Sequence, residues 1–221
     1  MRQTKAFNDN WNFTRDGQNW QKVNLPHTWN AIDGMDGKGE YYRGECTYTK
    51  EFDTPVLRDG QRVCLEVLAA GLSGRVYVNR SEAGSHEGGY SSFTLDITDS
   101  LYSPEEKKAN TVTVTVDNSH RSNIYPQMAD FTFYGGLYRG VNLLILPRTH
   151  FEVCFHGAAG LAVTPEVLSD GNAMLHLNSW IANPSPDYTV RYLITDGSGR
   201  EVAESWRPSE EAKADILLPR P

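Results

Sequence analysis

The residues best placed to do chemistry gather between His120 and Arg139. Asp130 stands before a run of aromatic side chains, Phe131, Phe133, Tyr134 and Tyr138. A carboxylate there can accept hydrogen bonds from sugar hydroxyls while the rings stack on the sugar's apolar face. The alternative for Asp130 is a capping role in the turn that launches the next strand. His120 and Arg121 lie in a polar run, 118–123, that leads toward Asp130, and with Tyr134 they are candidates to line the same surface. Arg139 enters an apolar strand. It reads first as structural, pairing with a carboxylate or with backbone carbonyls between domains, and second as a site-lining cation.

Other chemistry-bearing residues point to packing. His86 sits in Gly84-Ser-His-Glu-Gly-Gly-Tyr90. Glycine-rich loops with a histidine can hold phosphate or metal, but no helix follows to supply an anion-binding N-terminus and no second ligand is spaced nearby. A tight hairpin with His86 packed across the sheet is the expected arrangement, and His27 is expected to be held beside Trp29. Cys46, Cys64 and Cys154 form neither a CxxC pair nor a Cys/His cluster. This excludes a disulfide framework and argues against structural zinc. Of the five tryptophans, Trp11 and Trp20 are expected to pin an N-terminal strand onto the body of the fold, while Trp29, Trp180 and Trp206 suit core or interface positions.

The elements that must position these groups are strands. Phe133-Tyr-Gly-Gly-Leu-Tyr-Arg-Gly-Val-Asn142 suits a loop that brings backbone close to another group, and it runs into the apolar strand Leu143-Leu-Ile-Leu146. Thr111-Val-Thr-Val-Thr-Val116 alternates three valines with three threonines, and 62–68, 74–79 and 92–98 also alternate with period two. Ser103-Pro-Glu-Glu-Lys-Lys108 suits one short helical turn. Pro147 marks an exit from the first strand system, and a second follows over 151–218, with a hairpin at Asp196-Gly-Ser-Gly199. The chain is therefore all-β. A jelly-roll sandwich over 1–148 is followed by an immunoglobulin-like sandwich over 149–221. The second, roughly 70 residues against the ~100 usual for such a fold, is expected to be incomplete.

Composition closes off other classes. Hydrophobic residues make up 39% and charged residues 22% of 221, enough for packed cores. The formal net charge is -7 and no Lys/Arg run supplies a basic face, so nucleic acid is not an expected partner. No apolar stretch approaches the ~20 residues of a membrane-spanning helix. The N-terminus carries no secretory signal pattern, and the compartment, periplasmic or cytoplasmic, stays open.

Several stretches in one order carry a family resemblance. Val23-Asn-Leu-Pro-His-Thr-Trp29, Tyr41-Tyr-Arg-Gly44 with Thr47–Phe52, and Val76-Tyr-Val-Asn79 come first. Gly84, His86, Gly88-Gly-Tyr90, Phe93 and Asp96-Ile-Thr98 follow. Val116-Asp-Asn-Ser119, Asp130 and Gly136-Leu-Tyr-Arg139 complete the series. Together, over roughly 7–146, they resemble the first domain of family 2 glycoside hydrolases, which include β-galactosidases, β-glucuronidases and β-mannosidases. Residues 151–221 resemble that family's immunoglobulin-like second domain by position and strand pattern.

The resemblance implies a β-galactosidase-like parent, a retaining hydrolase of terminal β-linked sugars whose catalytic barrel follows these two domains. It implies that Asp130, six residues before Gly136, contacts the sugar and a sodium ion. No cofactor is then required in this chain itself. The acid/base glutamate of the family follows an asparagine, and no Asn-Glu pair occurs here, so the chain alone is expected to be inactive. An asparagine expected within Gly34–Arg43 is absent, which leaves galactose, glucuronic acid and mannose open. The expected partners are a carbohydrate substrate, the C-terminal barrel and further copies of the same protein. The alternative is a free-standing carbohydrate-binding module.

Overall fold

The computed structural model describes residues 2–33, 40–126, 128–154, 157 and 159–219. The described part of the window in which an asparagine was expected is therefore 40–43; Gly34–Gly39 lie outside it. The chain divides into two compact units, Met1–Leu146 and Pro147–Pro221, two residues before the boundary expected at 148/149.

The strands of the first unit are β1 Gln3–Ala6, β2 Trp11–Thr14, β3 Gln21–Val23, β4 Glu45–Phe52, β5 Arg62–Val67, β6 Ser73–Val78, β7 Ser81–Glu87, β8 Phe93–Asp96, β9 Asn110–Asp117 and β10 Val141–Leu146. They form two sheets, ordered β3-β2-β4-β9-β6-β7 and β1-β10-β5-β8. The alternation of β9 explains its central place. Val112, Val114 and Val116 are fully buried while the intervening threonines stay partly exposed. Val114 lies opposite Tyr48 on one neighbour and Val76 on the other. Trp11, Phe13, Tyr48 and Val76 from the larger sheet share one core with Val63, Leu65, Phe93 and Leu143 from the smaller. Side chains of this size each stabilise by roughly 1.5–3 kcal/mol on burial. Pro104–Glu106 makes the single helical turn expected there, closed by a capping box between Ser103 and Glu106.

The second unit contains β11 His150–Phe151, β12 Leu161–Val167, β13 Ala173–Ser179, β14 Ile181–Ala182, β15 Thr189–Thr195, β16 Glu201–Pro208 and β17 Lys213–Leu218. The sheet β12-β13-β17 and the pair β15-β16 enclose a core of Leu177, Val190, Tyr192, Ala214 and Ile216. Asp196 closes the β15–β16 hairpin, accepting from the N–H groups of Ser198 and Arg200. On β12, Val163 pairs with the core residue Leu177 and Val167 with Ala173, yet both stay exposed. Among the described residues, no helix is long and apolar enough to cross a membrane.

One packing expectation needs correction. Trp11 is buried as expected, with its indole N–H donating to the Phe7 carbonyl at 2.7 Å, but Trp20 is half exposed and pins nothing. β3 is a short edge strand, and its preceding turn leaves that ring in solvent. Phe13 packs against both His27 and Trp29, and His27 also meets the Tyr48 ring.

Candidate functional site

Three loop systems of the first unit meet at one place: the segment leading from β3 to β4, the turn between β7 and β8, and the long connection from β9 to β10. Two fully buried asparagines join the first of these to the third. Asn118 Nδ2 donates to the Phe133 carbonyl at 2.9 Å and to Asn30 Oδ1 at 3.1 Å, and its Oδ1 accepts from the Gly44 N–H at 2.9 Å. Asn30 Oδ1 accepts from the Gly135 N–H at 2.8 Å, and Asn30 Nδ2 donates to the Tyr42 carbonyl at 2.8 Å and to Asp33 at 3.0 Å. A buried amide is stable only when such partners are supplied, so the pair fixes the backbone on either side of it.

The Gly-Gly pair makes the close approach that its composition suggests. A Cβ on Gly135 would fall inside the Trp29 ring, and one on Gly136 would meet the His27 carbonyl. Gly136 also adopts φ +129, a conformation other residues rarely take. Beneath it, His27 Nδ1 and the Tyr48 hydroxyl are 2.7 Å apart. Burial, and then the Arg15 charge, hold His27 below the usual histidine range, while burial raises Tyr48. The loop thus rests on a neutral, aromatic floor. Thr28 adds a hydroxyl donated to the Gly135 carbonyl at 2.7 Å, and the Arg15 guanidinium holds the Trp29 carbonyl at 2.7 Å.

This scaffold presents Asp130, Phe131 and Tyr134 to solvent. Tyr134 and Phe131 line one cavity of about 180 Å³ with Thr28, Gly71, Leu72, Gly89, Tyr90, Thr132 and Tyr138. Arg139 makes its contacts within the first unit: its Nη1 donates to the Tyr90 carbonyl at 2.9 Å, with the guanidinium over the Tyr138 ring. Arg121 lies at the start of the same connection. It pairs with Asp117 at 2.8 Å and Glu87 at 3.5 Å on the larger sheet. His120 is exposed on the same connection. His86 stacks on Phe93 at 4.7 Å and meets Ser91 at 2.9 Å, the hairpin packing expected of it.

Asn30, Asn118 and Tyr90 were not singled out as site residues from sequence. Asn118 and Tyr90 lie in motif stretches, but nothing in a single sequence marks an asparagine as fully buried. Among the described residues no group of three or more His, Cys, Asp or Glu side chains is placed to hold a metal.

No family model matches the chain. A β-glucuronidase of Bacteroides fragilis is 35% identical over 98% of this chain and 32% of its own length. A β-galactosidase of Bacteroides ovatus is 30% identical over 96% of the chain and 26% of its own length. The crystal structure of an FMN-binding β-glucuronidase from Facaelibacterium prausnitzii L2-6 superposes with a TM-score of 0.86 at 43% identity, covering all of this chain and 34% of that one. The chain therefore spans about a quarter to a third of the length of these relatives. Matched along its whole length in sequence and in fold by such proteins, the chain belongs to glycoside hydrolase family 2 and corresponds to the N-terminal portion of its members.

Proposed function

We propose that this chain is the non-catalytic front of a retaining β-glycosidase that removes terminal β-linked sugars. The two sandwich units carry no pair of carboxylates assigned to the reaction; the nucleophile and the acid/base belong to a barrel that follows in the complete protein. The observation that carries the reading is the exposed Asp130 beside Phe131 and Tyr134, on a loop held by Asn30 and Asn118. In the complete protein Asp130 accepts hydrogen bonds from the sugar, and the chain alone is inactive. Asp130 and the rings beside it select by orientation, because a rigid acceptor rewards one arrangement of hydroxyls and leaves the others unpaired.

A β-galactoside fits this reading, as in the Bacteroides ovatus relative. A β-glucuronide is the second reading, favoured by the 43% and 35% identities to proteins named β-glucuronidase. The test is hydrolysis of p-nitrophenyl β-galactoside and β-glucuronide by the complete protein and by the 221-residue chain. Activity of the complete protein on one of them, with none from the chain, is expected. Turnover by the chain itself, or saturable sugar binding without any hydrolysis in the complete protein, would sink it in favour of an independent enzyme or a binding module.

A further inference from the structure

Tyr48 is fully buried, and two groups meet its hydroxyl. His27 Nδ1 lies 2.7 Å away, and the backbone N–H of Leu137 is directed at the same oxygen. A phenolic hydroxyl has one proton to give. With the Leu137 N–H donating to the oxygen, that proton goes to Nδ1 of His27, which must then be an acceptor. The arrangement is complete only while His27 is neutral, with its own ring proton on Nε2.

His27 is tied to the same stretch a second time, since its N–H donates to the Leu137 carbonyl at 3.0 Å. Both backbone polar groups of the buried Leu137 therefore depend on His27 and Tyr48. The turn before Leu137 is pressed onto the same pair. A Cβ on Gly136 would come within 3.0 Å of the Tyr48 hydroxyl, and one on Gly135 would enter the Trp29 ring.

Protonation of His27 undoes this arrangement. An imidazolium has no acceptor, so Nδ1–H points at the Tyr48 oxygen. That oxygen then receives two donors, and its own proton loses the acceptor it had, which is unfavourable in a core. The new charge also lies near the Arg15 cation, which pairs with Asp33 at 3.7 Å. The other titratable groups packed there, the Tyr48 hydroxyl and the Cys46 thiol, are kept neutral by burial. His27 is only half-buried, so solvent can deliver the proton. Release of the Leu137 N–H relieves the conflict. It moves the turn and not the strands, because Phe13 and Tyr48 face each other in the ladder of β2 and β4.

We propose that His27 and Tyr48 form an acid-sensitive latch: with His27 neutral they hold the Gly135–Leu137 turn closed, and protonation of His27 releases that turn while the sandwich stays folded. Both are positioning residues that act through backbone. The inference rests on the glycosidase reading only for its consequence, that acid loosens the connection carrying Asp130 and Tyr134. The opening itself is measured without substrate.

The experiment is amide hydrogen exchange of the 221-residue chain, followed by NMR at pH 7.5 and 5.0 and corrected for intrinsic rates. Expected is a loss of protection in acid at Gly135 and Leu137 about tenfold larger than at Val112, Val114 and Val116. His27→Gln, which cannot take the proton, should keep the turn equally protected at both pH values. Tyr48→Phe, which strips the Leu137 N–H of its acceptor, should leave the turn poorly protected at both. A turn that loses protection in step with the valines, or that ignores pH, would overturn the latch, as would a variant that keeps the original pH dependence. If the variants do not fold, the His27 ring resonances of the unaltered chain decide. Their titration midpoint should coincide with that of the turn's opening, and a separation of more than about one pH unit overturns the proposal. Failure of the complete protein to hydrolyse glycosides would remove the glycosidase reading and leave these amide measurements standing.

Discussion

At the scale of single residues, the loop separates groups that act by exposure from groups that act by burial. Asp130 is exposed on a loop whose backbone is tied down at Phe133 and Gly135, so its carboxylate can be lost without disturbing packing. Asp130→Ala in the complete enzyme is expected to lower kcat/KM by roughly 10–100-fold while shifting Tm by less than about 2 °C. Unchanged kinetics would remove Asp130 from the sugar site; a large Tm loss would make it a structural cap. Cys46 illustrates the opposite case. Burial pushes its thiol up to about 12, so it stays protonated and unreactive at neutral pH despite being free.

At the scale of elements, the fixed point is the Asn30–Asn118 pair, which ties the β3–β4 segment to the connection between β9 and β10. Asn118→Ala leaves the Gly44 N–H and the Phe133 carbonyl without their buried partner. The expected cost is about 2–4 kcal/mol, several buried polar groups being stranded at once. Urea unfolding of the chain, followed by the fluorescence of the buried Trp11 and Trp29, measures it. A loss below about 1 kcal/mol would show that water replaces the amide and that the pair does not set the loop. Gly135→Ala should be at least as damaging, because its Cβ and the Trp29 ring claim the same space. The strands were the readable part of this architecture. The valine–threonine alternation of β9 and the Asp196–Gly199 turn declare their geometry locally. The loop network was not readable, because Asn30 and Asn118 are 88 residues apart and their pairing is a product of the sandwich.

At the scale of the whole molecule, the two units answer acid in opposite senses. In the first, burial holds His27 and His86 below the ordinary histidine value of 6.5. Their folded forms resist protonation, so the stability they contribute is present above pH 6.5 and is lost as pH falls below it. In the second, hydrogen bonds that His176 donates to Asp215, at 2.7 Å, and then to Glu166, at 3.3 Å, raise its pKa. That contribution is complete below pH 6.5 and is lost as pH rises through the folded value. Amide hydrogen-exchange protection, corrected for intrinsic rates, is expected to rise in β2, β4 and β9 and to fall in β12, β13 and β17 between pH 5.5 and 7.5. His176→Gln should abolish only the second trend. Parallel trends in both units would refute the assignment.

The sequence by itself determined the all-β class, the succession of two sandwiches and the kinship with family 2 glycoside hydrolases. Those properties follow from period-two alternation, turn chemistry and the order of short motifs, all of which act between near neighbours in the chain. It also set out Asp130, Tyr134 and Arg139 as neighbours on one loop. Only the tertiary structure decided what each of them faces. It took Arg121 onto the sheet with Asp117 and Glu87, turned Arg139 to the Tyr90 carbonyl, and brought Gly71, Gly89, Tyr90 and Tyr134 together around one apolar slot. Burial and cavity shape arise from contacts between residues tens of positions apart, and a single sequence carries no local signal for where such contacts will fall.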